Sequence, residues 1–306
     1  MDDQLCIFGA NGFETVRPSG ADLRPAPPLA DQLIFATGEK SLVHDDENLY
    51  SRVVHAHSAK KAYFVRRYAE IVGTAMRHHW PGKLWWVELF AGPGRLFETE
   101  SAAYLPGSPM AALAITNPFT GYVFADLDPL CVESLRTRTA SVPHARVLQG
   151  DANSAQLLDE IASIVPRDAL VIVYADPEGL DFHLPTVRFF TDRYPHVDWL
   201  INFPVSGAVR YLRAGHSQRA VPVLGHPNPA ELLEKSTTYG PELRVYYQRQ
   251  LEALGYAHFR TEPILLETKN RLLYDLMLAS RHERAADLFD KACSIRPNGQ
   301  RSLFVS

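Results

Sequence analysis

One stretch constrains this chain more than any other: Lys83 to Arg95, Lys-Leu-Trp-Trp-Val-Glu-Leu-Phe-Ala-Gly-Pro-Gly-Arg. It opens on an apolar run, Leu84 to Val87, which suits a buried strand. A single carboxylate, Glu88, falls near the strand's end, and Ala91-Gly92-Pro93-Gly94 then forms a turn without bulky side chains. A strand running into a glycine-rich turn is how a parallel α/β sheet builds a small-molecule site, because backbone approaches a ligand closely only where no Cβ intrudes. Glu88 would repel a bare phosphate, so a cationic or hydroxyl-bearing ligand fits better.

Three readings compete for the turn. A dinucleotide fingerprint needs a third glycine, and that position is Phe97. A P-loop needs Lys-Ser/Thr after its glycines, and none follows. The third is the first motif of S-adenosylmethionine (SAM) methyltransferases, which Val87-Glu88-Leu89-Phe90-Ala91-Gly92-Pro93-Gly94 resembles closely. A plain strand-to-helix turn without a ligand is the bland reading, and the later strand ends decide between them.

Length and composition set the frame. The 306 residues allow one large α/β domain with additions, or two small ones. The net charge of −4 excludes a globally basic nucleic-acid binder, leaving only a local patch for that role. Cys6, Cys131 and Cys293 are too few and too scattered for a disulfide framework or a Cys-rich zinc site, and no metal site is expected. A reducing cytoplasmic setting fits. No apolar run reaches membrane-spanning length, and the start, Met-Asp-Asp-Gln, is not that of a signal peptide.

Residues 1–57 read as an irregular arm broken by Pro18, Pro25, Pro27 and Pro28, with one short candidate strand, Gln32 to Ala36. From Ser58 to His79 the apolar spacing is helical, with Lys60, Lys61, Arg66 and Arg67 read as a solvated face. Phe97 to Leu105 reads as a polar insertion, and Ser108 with Pro109 as the start of a helix capped by Ser108. Strand two, Gly121 to Ala125, closes on Asp126-Leu127-Asp128-Pro129, where Asp126 suits a ribose and Asp128 a helix cap. Strand three, Ala145 to Leu148, precedes Gly150-Asp151-Ala152-Asn153. In the methyltransferase pattern that the first motif resembles, an Asp after strand three takes the adenine amino group, and Asp151 fits that place; Asp151 or Asn153 also suits a helix cap. Strand four, Ala169 to Ala175, is apolar throughout, as expected for a central parallel strand, and leads into Asp176-Pro177-Glu178-Gly179. Strand five, Val197 to Ile201, ends at Asn202-Phe203-Pro204. A loop-rich insertion near 214–240 follows, then a helix from Pro241 to Leu254 stopped by Gly255. Two strands, Ala257 to Leu266 and Leu272 to Leu278, and a helix from Glu283 to Ile295 complete the chain.

Four successive strand ends thus carry Glu88 with Gly92 and Gly94, then Asp126, then Asp151, then Asp176-Pro177. Their order is similar to the cofactor and catalytic positions of class I SAM methyltransferases. The words Phe90 to Arg95, Gly107 to Pro109, Gly150 to Asn153, Ala175 to Leu180, Ile201 to Pro204, Asn270 to Tyr274 and Ala279-Ser280 resemble the three-Cys-motif partner (TcmP) family, from about Asp31 to Lys291. The resemblance implies a Rossmann-like class I methyltransferase fold: an α/β domain over 58–306, with a seven-stranded, mostly parallel sheet in the order 3-2-1-4-5-7-6 and an N-terminal helical extension. It implies S-adenosyl-L-methionine as cofactor, held by Glu88, Phe90, Ala91, Gly92, Gly94, Asp126, Leu127, Asp151 and Ala152. It also implies catalysis, where present, by Asp176, Pro177 and Glu178, and a three-Cys-motif partner protein of iron–sulfur type.

Asp176 to Gly179 takes the place of the Asp/Asn-Pro-Pro-aromatic motif of amino methyltransferases, but Gly179 replaces the stacking ring. Phe182 or Phe203 is left to substitute. A C5-pyrimidine route needs a cysteine after strand four, and none is there. Glu178 suits a general base or a helix cap equally. His183 is the one histidine placed near the site; the pairs His55/His57 and His78/His79 lack acidic or Cys companions. The expected activity is methyl transfer to an unidentified nucleophile, against a non-catalytic accessory subunit and, third, a nucleotide-dependent oxidoreductase. For any nucleic acid or partner contact the candidates are Lys60, Lys61, Arg66, Arg210, Arg213 and Arg219.

Overall fold

A computed structural model describes residues 5–9, 12–16, 34–36, 40–232, 241–266 and 271–297. The main sheet has seven strands: β1 (Leu84–Leu89), β2 (Gly121–Asp126), β3 (Ala145–Gln149), β4 (Leu170–Ala175), β5 (His196–Phe203), β6 (His258–Leu266) and β7 (Arg271–Ser280). Their order is β3-β2-β1-β4-β5-β7-β6, with β7 antiparallel to β5 and to β6 and all other pairs parallel. This is the Rossmann-like α/β methyltransferase topology that the motif order implies.

Period-two alternation explains why β4 is apolar along its whole length. Val171, Val173 and Ala175 enter the core on one face, while Leu170, Ile172 and Tyr174 enter the core on the other. The same parity in β1 puts Trp86 and Glu88 on the face of Tyr174, and Val87 and Leu89 on the opposite one. Glu88 is therefore buried by its register, in a strand whose other side chains are apolar.

Helix α1 (Ala56–Met76) covers the Glu88 face together with α9 (Glu283–Cys293). Arg67 Nε donates to the carbonyl of Ala292 at 3.0 Å, tying the two helices. Between β1 and β2 lies α2 (Ser108–Leu113); α3 (Pro129–Thr139) and α4 (Ala155–Ile164) follow β2 and β3. Beyond β4 come α5 (Leu184–Arg193), α6 (Val205–Arg213), α7 (Ser217–Leu224) and α8 (Pro241–Ala253). Gly255, at φ +92°, stops the chain after α8 as its position suggests.

Several expectations are corrected. The irregular arm contains strands: Ile34–Ala36, Lys40–His44 and Tyr50–Val54 join Arg95–Glu98 and Ala103–Pro106 in a second, five-stranded sheet. The polar insertion at Phe97 to Leu105 lies within two of its five strands. The sheet's strands are too short to show periodicity alone, and its two local groups of strands, 34–54 and 95–106, are joined only by the sequence-distant parallel pairing of Arg52 with Leu96. The loop-rich insertion is helical over α7 and again at Pro229–Leu232; residues 233–240 lie outside the described residues. Ser108 is not a cap, since Gly107 holds the N-cap position. Ser154, not Asp151 or Asn153, caps α4 by accepting from Leu157 N. Asp128 caps α3 by accepting from Leu130 N at 2.9 Å.

One arginine docks the small sheet on the large one. Arg138, on α3 and 6% exposed, donates to the carbonyls of Tyr50 at 2.7 Å and Pro93 at 2.6 Å, and to the carboxylates of Asp45 and Glu47. The Asp45 side chain is fully buried and also accepts from Ser51 Oγ at 2.6 Å and from Glu47 N and Leu49 N. The clamp holds the glycine turn through Pro93 and the strand that carries Arg52. At Gly94, φ is +84° and an added Cβ would stand 2.8 Å from Leu135 Cδ1, so the turn admits no side chain there. Arg138→Met should leave Asp45 buried opposite a neutral chain and cost about 3 kcal/mol. Chemical denaturation of the variant checks this; a loss within experimental error would remove the clamp from the stability of the fold.

Candidate functional site

The carboxyl ends of β1, β4 and β5 surround a cavity of about 240 Å³. Parallel strands deliver their ends to one edge, so residues distant in sequence converge there. Of the expected site residues, Phe90, Ala91, Gly92, Gly94, Asp176, Pro177 and Glu178 line the cavity. Glu88, Asp126, Leu127, Asp151 and Ala152 do not.

Asp176 follows β4 directly and is held from two sides. Lys61 Nζ, from α1, donates to its Oδ1 at 2.6 Å and Oδ2 at 2.5 Å. Asn202 Nδ2, at the end of β5, donates to Oδ1 at 2.8 Å. Oδ1 thus accepts two bonds and Oδ2 one, leaving one lone pair on Oδ2 for a further donor. Asp176 caps no helix, since α5 begins at Leu184 with His183 at its N-cap. Burial alone would lower the Lys61 ammonium's pKa, but the Asp176 charge beside it prevails and raises it. Lys61 also stands 5.2 Å from the centre of the Tyr274 ring. Lys61 therefore belongs to the site and not to a solvated face.

Glu178 pairs with Arg52, which the small sheet carries into the cavity. It is not a helix cap. The same guanidinium lies 3.9 Å from Asp126 Oδ2 and 3.6 Å from Cys131 Sγ. Burial, opposed by Arg52, pushes the Cys131 thiol up to about 12, and no cysteine lines the cavity among the described residues.

Asp126, at the end of β2, is 3% exposed and braces the glycine turn. Its Oδ2 accepts from Gly92 N at 2.7 Å, and its Oδ1 accepts from Asp128 N at 2.9 Å. Glu88 sits under the turn, fully buried, accepting from Trp86 Nε1 at 3.3 Å and from Ser108 Oγ. Ser108 itself lines the cavity. Burial pushes the Glu88 carboxyl up to about 8 against those two hydrogen bonds, with Asp176 adding to the rise. Asp151 is exposed at the end of β3, and its Oδ1 accepts from Asn153 N and Nδ2. Leu127 is 62% exposed directly after Asp126.

These residues fit an adenosine-type sulfonium cofactor. An exposed leucine beside the β2 end offers an apolar face to a planar base, and the β2 and β3 ends add acidic acceptors.

The two aromatic substitutes for Gly179 are not available. Phe182 packs against Trp199 and Phe90, and Phe203 stacks on Tyr247 at 4.8 Å, both inside the core. Tyr274, from β7, is the ring that reaches the cavity beside Phe90 and Tyr174. His183 lies at the α5 cap and does not line it. Arg52, Ser108, Asn202 and Tyr274 were not chosen from sequence as site residues, although Ser108, Asn202 and Tyr274 stand in words quoted for the family resemblance, and Lys61 was named only as a candidate for partner or nucleic-acid contact. Arg52 and Lys61 had no local signal, because each enters from outside the strand-end pattern.

Glu88 sets a pH dependence. Its folded value near 8 lies above its ordinary 4.5, so folding is favoured most at low pH. That contribution is lost as pH rises from about 4.5 to about 8, at roughly 1.4 kcal/mol per unit at most. Glu88→Gln should flatten this slope and be relatively more stable at pH 9 than at pH 5. Parallel denaturation curves for the two proteins across that range would refute the assignment.

No family model matches the chain, and no curated protein matches it. Among solved structures it is similar to spermidine synthase from Thermotoga maritima, at TM-score 0.48 and 9% identity, over 89% of this chain and 80% of that one. It is similar to an O-methyltransferase from Bacillus cereus in complex with SAH, at TM-score 0.44 and 11% identity, over 74% and 83% of the two chains. For M. jannaschii TYW2 in complex with AdoMet the figures are 0.41 and 8%, over 80% and 87%. The fold assignment stands on this chain's own strand order, which is that of a Rossmann-like α/β methyltransferase sheet.

Proposed function

We propose that the protein is a SAM-dependent methyltransferase of the three-Cys-motif partner type, acting on an amine or hydroxyl held at Asp176. One observation carries this reading: the glycine turn braced by Asp126 and the Asp176-Pro177-Glu178 segment line a single cavity. Ala91, Gly92, Asp126, Leu127 and Asp151 are the residues that would hold the cofactor. When bound, it supplies a methyl group on a sulfonium that leaves as a neutral thioether.

The chain's own residues orient the acceptor. Lys61 and Asn202 fix Asp176, so its remaining Oδ2 lone pair points from a set position. A single N–H or O–H of the acceptor can donate there. Pro177 has no backbone N–H, so the segment offers acceptors at that point and no competing donor. With its charge paired to Lys61, Asp176 orients the nucleophile more than it takes a proton. Glu178, with 40% of its side chain exposed, is the carboxylate placed to pass a proton outward once Arg52 releases it.

The two ion pairs also favour a second reading. Lys61 and Arg52 engage both carboxylates, as in a site kept for structure, and the chain would then serve as an accessory subunit to a three-Cys-motif protein.

Calorimetry with SAM, its demethylated product, NAD and ATP tests the first reading: SAM or its product should bind and the other two should not. Asp126→Ala removes the brace on Gly92 as well as an acceptor, and should weaken binding by on the order of 2–3 kcal/mol. Failure of the intact protein to bind either SAM or its product would exclude the methyltransferase and leave the accessory role. Asp176→Asn should keep cofactor affinity while slowing single turnover by roughly 10²–10⁴-fold, and should lower the melting temperature because Lys61 loses its charge partner. An unchanged rate on an identified acceptor would move the role to Glu178.

A further inference from the structure

The helices that follow β5 carry a charge pattern unlike the rest of the chain. From Trp199 to Ala230 there is no Asp or Glu, in a sequence that holds 35 acidic against 31 basic residues. The same span contains Arg210, Arg213 and Arg219 with His216 and His226. α6 buries Val205, Ala208, Val209 and Leu212. Arg210 and Arg213, three residues apart, therefore share its outer face and are exposed, as Arg219 is on α7. None of the three arginines has a carboxylate partner among the described residues, whereas Arg52, Arg95, Arg138, Arg244 and Arg260 each do.

Aromatic rings are interleaved with these charges. The half-buried Tyr211 ring lies 5.7 Å from the Arg219 guanidinium and 6.2 Å from the His216 ring. Tyr246, on the adjoining α8, meets His226 edge to face at 5.2 Å. A row of cations with flat rings between them binds both features of an unpaired polynucleotide, its phosphates and its bases. An acidic protein surface would use the cations and leave the rings idle. Arg219 also sits in the first turn of α7, where the helix dipole disfavours a cation and no acid offsets it. That residue weakens its own helix, which fits an outward role.

The track leads to the cavity. α6 begins at Val205, directly after Pro204, which lines it. At the helical rise, Arg210 and Arg213 stand roughly 9 and 13 Å along α6 from that edge.

We propose that the outer face of α6 and α7 is a track for single-stranded nucleic acid, whose phosphates lie over Arg210, Arg213 and Arg219 and whose bases stack at Tyr211. The strand would present an amine or hydroxyl at Asp176, which rests on the methyltransferase reading; the track itself does not.

The test uses the full chain with fluorescent RNA and DNA single strands of one mixed sequence, in anisotropy titrations, with polyglutamate as a competitor. At least one strand should bind at about 50 mM salt, and affinity should fall roughly 20-fold by about 200 mM, as three phosphate contacts at about 0.7 each in the log–log slope require. Arg210→Ser/Arg213→Ser/Arg219→Ser should abolish that binding while SAM affinity and melting temperature stay unchanged. Tyr211→Leu, which keeps an apolar side chain at this half-buried position and removes the ring, should weaken it roughly fivefold or more. Preference for the RNA or the DNA arm names the sugar, and either supports the track. No binding of either strand, binding that the triple variant retains, or tighter binding of polyglutamate than of both strands would overturn it. Strand binding by a protein that does not bind SAM would uphold the track and refute the methyltransferase reading instead.

Discussion

The buried charge pairs at the carboxyl edge of the sheet are what the site depends on. Parallel strands must end somewhere, and here four of the ends bring acidic residues to the same edge. Buried carboxylates at such an edge repel one another and lose hydration, so they persist only if neutralised or paired. The protein uses both routes. Glu88 is pushed up to about 8, with Ser108 and Trp86 as partners. Asp176 is met by Lys61 and Glu178 by Arg52. Both cations come from outside the parallel sheet, one from the helix that precedes it and one from the small sheet. The additions to the α/β core are therefore part of the site's electrostatics.

This arrangement couples packing to geometry. Arg138 binds the turn at Asp45, the strand beginning at Tyr50 and the glycine turn at Pro93 with one guanidinium. Asp126 holds the same glycine turn from below through Gly92 N. The turn is fixed by side chains from two neighbouring segments, while its own residues stay small. Phe90 is the exception: it adopts φ +67° beside Gly92 and lines the cavity. A bulky residue in that region costs of order 1–3 kcal/mol, and the packing around it has to hold it there.

The seven strands and several of the helices were readable because each follows a local rule: an apolar run for β4, a Gly-rich turn after β1, Asp128-Pro129 before α3, Gly255 after α8; the strand order followed from the family resemblance, and α7 was not readable. The second sheet was not readable, since its strands are short and its two local groups are joined only by the parallel pairing of Arg52–Val54 with Leu96–Glu98. Asp176, Pro177 and Glu178 were legible as residues because they end the most apolar strand. Their partners were not: nothing near Lys61 or Arg52 distinguishes either from a surface cation.

The sequence by itself determined the strand-end chemistry, because side-chain type, strand parity and the glycine turn are all properties of adjacent residues. Only the tertiary structure decided which of those acids face the cavity. Glu88 is buried under the turn against Ser108, Asp126 braces it through Gly92, and Asp176 and Glu178 stand in the opening with their cations. That division follows from which face of the sheet α1 covers and where the small sheet docks. Both depend on contacts between segments whose separation along the chain hides them from any local pattern.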